Sequence, residues 1–252
     1  MVSLIAAALS VTAVTLLHTR ERASSSAAST SDDRQVSQRG GATERRAGPR
    51  RIEGRPAPPR TVKPRRARPA PRVRFRQSRA LGIPSAGRLV AGVQLPAWGR
   101  HYVTWDPILR RSPSRGWRRH GTDDLVRLLL RIQRSYGAAN PDVRPLLIGD
   151  LSRPQGGDFG RRYGIIGHST HQNGLDADIY YPRRDRRLIV PESVDKVDLR
   201  LAQRLVDIVV ALGAQTVLIG PGTGLKGPPG VVEPYPGHDN HLHLRIANPE
   251  GG

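Results

Sequence analysis

The 252-residue sequence predicts an α+β domain with helices packed on a sheet. Three observations lead there. Two segments with helical apolar spacing stand among several short strand-like runs. No β-helix-β unit repeats, so a doubly wound parallel sheet is not expected. Every tryptophan and tyrosine, Trp98 and Tyr102 through Tyr235, lies in the C-terminal two thirds, which places the core there.

Residues 2–17 are an apolar run of signal-peptide length, short for a membrane span. Segment 1–19 is therefore expected to act as a signal or as a membrane anchor, although no Lys or Arg precedes the run and Arg20 and Arg22 follow it. Residues 20–80 are rich in Arg, Pro, Ser, Ala and Gly, a composition that buries too little apolar surface to offset the entropy of ordering. They are expected to be a disordered linker, stiffest over the proline-dense residues 56–72. Residues 1–80 hold 18 basic and 5 acidic side chains, so they carry +13 of the net charge of +20. Such a tail attracts polyanions. Specific nucleic-acid binding does not follow, because the tail offers only Phe75 for base stacking. With no cysteine, thiolate metal sites and cysteine nucleophiles are excluded.

The domain is expected over 81–252. Thr122-Asp123-Asp124 reads as a helix start, with a capping side chain and two acids at the positive end of the dipole. Leu125, Leu128, Leu129 and Ile132 then form one apolar face to about Tyr136. Pro145–Leu151 reads as a buried strand, Ser152–Tyr163 as a loop, Leu175–Tyr181 and Ala214–Gly220 as strands, and His241–Ile246 as a final strand. Between them Asp195–Leu212 is a second helix, stopped by Gly213.

Five of the eight histidines fall into two clusters, His168-Ser-Thr-His171-Gln-Asn-Gly174-Leu-Asp176-Ala-Asp178 and His238-Asp-Asn-His241-Leu-His243. Imidazole nitrogen and carboxylate oxygen are the donors zinc takes, and three protein ligands leave a position for water. His171, Asp178 and His243 are assigned as ligands, with His168 as a further donor or a substrate contact. Alternation puts His241 and His243 on one strand face about 7 Å apart, so one can ligate while the other stands over the substrate. Many zinc peptidases use a glutamate base, but neither cluster contains one, and Glu233 is the nearest. His238 or His241 is then the proton carrier, and the other faces the oxyanion. Asp176 and Asp239 are expected to orient the histidines through hydrogen bonds. Gly220–Lys226 is glycine-rich but lacks the GK[ST] of a phosphate loop, so nucleotide binding is not expected.

The runs LLIGDLSRPQGG, GHSTHQNGLDADI and GHDNHLHLRI resemble the penicillin-insensitive murein endopeptidases, zinc enzymes related to D-Ala-D-Ala carboxypeptidases, lysostaphin-type peptidases and the Hedgehog signalling domain. The resemblance runs from about Gly87 to Ile246. It implies a small antiparallel sheet flanked by helices and carrying one zinc site. It also implies hydrolysis of the D-alanyl–meso-diaminopimelyl cross-bridge of peptidoglycan in the cell envelope, with anionic envelope polymers within reach of the basic tail. Zinc would be held by His171, Asp178 and His243 with His168 close by, and His238 and His241 would act on water and the tetrahedral intermediate. Two rivals are a carboxypeptidase trimming terminal D-Ala, for which Arg161, Arg162 or Arg245 would hold the free carboxylate, and a non-catalytic peptidoglycan-binding module.

Overall fold

The computed structural model describes residues 71–159 and 169–249. The expected leader 1–19, most of the linker, and His168, Arg161 and Arg162 lie outside the described residues. Among those described, no helix is long and apolar enough to cross a membrane.

The strands are β1 (Arg79–Ile83), β2 (Ala86–Val90), β3 (Val93–Gln94), β4 (Tyr102–Thr104), β5 (His120–Gly121), β6 (Leu146–Ile148), β7 (Asp176–Tyr180), β8 (Thr216–Ile219), β9 (Val232–Pro234) and β10 (His241–Arg245). The helices are α1 (Asp123–Ala139) and α2 (Leu199–Ala211). One six-stranded sheet runs β4-β6-β7-β10-β8-β9, and β1-β2 and β3-β5 are separate two-stranded pairs.

Thr122 caps α1, accepting Leu125 N–H at 3.2 Å. The helix ends at Asn140, whose side-chain amide donates to the Tyr136 carbonyl at 2.9 Å. The second helix starts later than Asp195. Val194–Lys196 forms a 3-10 turn, Val197 is extended, and the Asp198 carboxylate takes Leu201 N–H at 3.1 Å. A residue whose side chain caps a helix holds the chain before it out of the helix.

The sheet has two chemically different faces. Leu146 and Ile148, Ala177 and Ile179, Val217 and Ile219, and Leu242 and Leu244 join one core with Leu125, Leu129 and Ile132 of α1 and Ala202, Leu205, Val206 and Val209 of α2. At about 1.5–3 kcal/mol for each fully buried large apolar side chain, this is what fixes the helices to the sheet. Period-2 alternation leaves Asp176, Asp178, Tyr180, His241, His243 and Arg245 on the other face.

Two expectations need correction. The sheet is mixed rather than antiparallel, because β4 pairs parallel with β6, and β9 with β8. It is also not flanked, since both helices contribute to the core on one face while the opposite face carries polar residues. The short edge strands β4 and β9, three residues each, are too brief to show a period in sequence. Arg79 already begins β1, Ala80 is buried, and the Asp123 carboxylate takes the N–H groups of Arg76, Gln77 and Ser78.

Candidate metal centre

The register of β7 against β10 builds the site. His243 lies opposite Asp178, Arg245 opposite Asp176 and His241 opposite Tyr180. The backbone of β7 is tied to the segment after β6, with Gly149 N–H on the Asp178 carbonyl and Asp178 N–H on the Asp150 carbonyl. His171 arrives from the loop before β7 with φ of 69°, a left-handed conformation that costs a non-glycine residue about 1–2 kcal/mol. Gly174 completes the turn at φ 78°, and a Cβ there would meet Leu89 Cδ1 at 2.8 Å. Both the positive φ and the close approach of Leu89 favour glycine here.

His171, Asp178 and His243 bring their donor atoms within 4.8 Å of one another, all three side chains buried. The His171 Nδ1–H donates to the Leu151 carbonyl at 2.9 Å, which turns Nε2 toward Asp178 Oδ1 at 3.3 Å. His243 Nε2 donates to Asp176 Oδ1 at 2.9 Å, which turns Nδ1 toward the same Asp178 oxygen at 3.1 Å. Each imidazole is thus held by an outer acceptor that fixes its tautomer. Two ring lone pairs and a carboxylate then converge on one point, a repulsive arrangement unless a proton or a cation lies between them. These three residues fit a divalent cation. In its absence the site keeps a proton instead. Burial lowers the His243 pKa, but the bonds to Asp176 and Asp178 outweigh it and push it up to about 9. Asp178 moves the other way. Burial raises its pKa, and the neighbouring His171 and His243 hold it well below the usual carboxylate range.

The second cluster closes over this point. His238 and His241 rings lie 4.8 Å apart, and His238 lies 6.0 Å from His243. His238 directs Nδ1 to the carbonyls of Tyr235 and Pro236 at 3.2 and 3.1 Å, which leaves Nε2 unprotonated. Burial, partly offset by those carbonyls, lowers its pKa, so it is neutral at neutral pH. His241 holds Nδ1 on Asn240 Oδ1 at 2.6 Å, and its Nε2 is 3.9 Å from Asp178 Oδ1, outside the three-residue group. Asp176, one of the two carboxylates expected near the histidines, accepts from His243 Nε2. Asp239 differs. Its carboxylate takes Gly222 N–H at 3.1 Å and so fixes the Gly220–Thr223 turn rather than a histidine ring. Glu233 bonds Gly230 N–H and does not line the site.

The site opens into a cleft of about 1000 Å³. Trp105, Arg110, Tyr180, Glu192, Tyr235 and Arg245 line it, and of these only Arg245 had a role in the sequence reading. Glu192 reaches the cleft on a loop clamped by Arg183, which binds both Asp185 and Glu192. That bond to Arg183 lowers the Glu192 pKa, so the one glutamate lining the cleft among the described residues is held as a carboxylate. The signal for these residues is their meeting in space, since they come from segments up to 140 positions apart.

The penicillin-insensitive murein endopeptidase family profile matches residues 80–208, which include His171 and Asp178, while His238–His243 lie beyond its end. Over 196 residues the chain is 26% identical to the penicillin-insensitive murein endopeptidase of Haemophilus influenzae, an alignment covering 67% of this chain and 63% of the relative. Over 125 residues it is 32% identical to the protein of the same name from Escherichia coli, covering 48% and 40%. The chain thus spans less than two thirds of the length of either relative.

Proposed function

The chain belongs to the penicillin-insensitive murein endopeptidase family, and from that premise we propose that it is a zinc-dependent endopeptidase hydrolysing D-alanyl–meso-diaminopimelyl cross-bridges of peptidoglycan in the cell envelope. One observation carries the metal part of this reading: two imidazoles, each tied at its outer nitrogen, turn their inner nitrogens onto a single buried carboxylate oxygen. Tetrahedral zinc with bonds of about 2.0–2.2 Å separates its donors by roughly 3.4 Å. The separations of 3.1 and 3.3 Å around Asp178 Oδ1 are close to that.

His171, Asp178 and His243 would hold the ion, with His168 beside them. A bound zinc ion supplies a Lewis acid and brings the pKa of water from about 15.7 toward roughly 7. His238, neutral and with Nδ1 anchored on two carbonyls, accepts the proton of the attacking water at Nε2 and returns it to the leaving amine. His241, with Nδ1 held on Asn240 Oδ1 and its ring beside that of His238, faces the developing oxyanion. Asp176 keeps His243 in the tautomer that ligates. Trp105 and Tyr180 give the cleft an apolar wall beside the reacting centre.

The test is digestion of purified cross-linked muropeptide dimers by the whole chain, with and without chelator, with products identified by mass. Conversion of dimers to intact monomers, lost on chelation and restored by zinc, is the expected outcome. Release of a terminal alanine alone would move the protein to the carboxypeptidase class. No product from a chain holding one zinc would make it a binding module.

A further inference from the structure

Among the described residues, Arg245 is the one cation that the site's own hydrogen bonds aim into the cleft. It sits two residues past His243 on β10, so its side chain emerges on the same face. Its Nε donates to Asp176 Oδ1 at 2.7 Å, and the side chain stays 26% exposed where it lines the cleft. The contact is single. Asp176 Oδ2 is buried with no hydrogen-bond partner, so the guanidinium fork is not closed on Asp176. Both terminal nitrogens of Arg245 are without a partner among the described residues. An arginine fixed through Nε with its other edge open is preorganised for a planar, two-oxygen anion. The remaining charges in the cleft are otherwise engaged or loosely held: Asp178 faces the histidines, Glu192 is bound by Arg183, and Arg110 is exposed.

We propose that Arg245 is a carboxylate-binding subsite, receiving the carboxylate carried by the carbon next to the scissile nitrogen. The proposal rests on the endopeptidase reading and specifies its substrate. In a D-alanyl–diaminopimelyl cross-bridge the carbon bearing the scissile nitrogen also bears a free carboxylate, two bonds from that nitrogen. An internal amide without this group, or one whose carboxylate is amidated, leaves the open edge of Arg245 facing an uncharged acceptor. The cleft then selects cross-bridges by charge as well as by shape.

The experiment compares two muropeptide dimers, one with that diaminopimelyl carboxylate free and one with it amidated, on the zinc-loaded full-length chain. The wild type is expected to favour the free acid by roughly 10- to 100-fold in kcat/KM, the size of one charge-assisted bidentate contact. R245Q should bring the two substrates close to parity, mainly by raising KM for the acid, and R245K should restore part of the preference. Because the two rates are compared on one preparation, partial loss of folded protein cancels. If R245Q is wholly inactive, the wild type is titrated instead with the cleaved monomers, and the free acid should bind at least tenfold more tightly than its amide. Equal wild-type rates and equal monomer affinities overturn the proposal, as does a loss in R245Q that is the same for both substrates. Cleavage of neither dimer by a chain holding zinc overturns the endopeptidase reading, and the subsite with it.

Discussion

Asp176 Oδ1 is shared by His243 Nε2 at 2.9 Å and Arg245 Nε at 2.7 Å, so one carboxylate orients an imidazole of the site and a cleft cation together. Asp176→Asn keeps the shape and removes the charge. It should weaken metal binding by about 10- to 100-fold with little change in fold, measured by chelator competition and circular dichroism. Asp178→Asn acts on the ligand itself and should abolish stoichiometric metal binding. The sign of the pH dependence follows from His243. Its folded pKa, about 9, lies above the unfolded value of roughly 6.5, so its proton stabilises the metal-free chain fully below pH 6.5. That contribution is lost as pH rises through 9. The metal competes for the same nitrogen, so zinc affinity should fall by about tenfold per pH unit as pH drops from 8.5 to 6.5. A flat affinity profile over that range would show that no proton is displaced from His243.

Next to the site, Arg118 and Asp150 form an ion pair that is 0% and 1% exposed, with Arg118 also near the rings of Trp117 and Phe159. Leu151, whose carbonyl holds His171, donates its own N–H to the Arg118 carbonyl. Through Leu151 the backbone beside this buried pair is therefore joined to the carbonyl that holds His171. Arg118→Met removes the guanidinium from this buried pair and should cost about 3–5 kcal/mol, read by denaturant unfolding, with metal affinity falling in parallel. A cap is a smaller lever. Thr122→Ala removes the bond to Leu125 N–H and should cost about 1 kcal/mol by the same measurement, leaving metal affinity unchanged because α1 packs on the opposite face of the sheet. Both helices and strands β7, β8 and β10 were legible from the period of their residues, and β6 from a short, continuous apolar run. The hairpin β1-β2 was not, since its outward face mixes Leu81 and Ile83 with Arg79 and Arg88, and this hides the alternation.

Over the whole molecule, the ordered chain reaches back beyond the strand that opens it. Asp123 at the start of α1 gathers the N–H groups of Arg76–Ser78, and Ala80 is 4% exposed. A chain beginning at Gly82 should therefore melt roughly 3–8 °C below one beginning at Pro71, whereas the two should bind metal with equal affinity at a temperature where both are folded. The meeting of His171, Asp178 and His243 could be read from sequence because strand alternation and one turn bring these spacings to a common face. The same reading gave Asp176 and Asp239 alike a place beside the histidines. Asp239 shows its limit, because proximity in sequence to His238 and His241 says nothing about which hydrogen-bond donor a loop carboxylate will meet, and here it is Gly222. The sequence by itself determined residue types, periods and caps, all of which are local in the chain. Only the tertiary structure decided that both helices share one face of a mixed sheet, that Glu192 is held by Arg183, and that Arg245 opens onto the cleft, because these depend on strand order and on contacts between segments far apart in the chain.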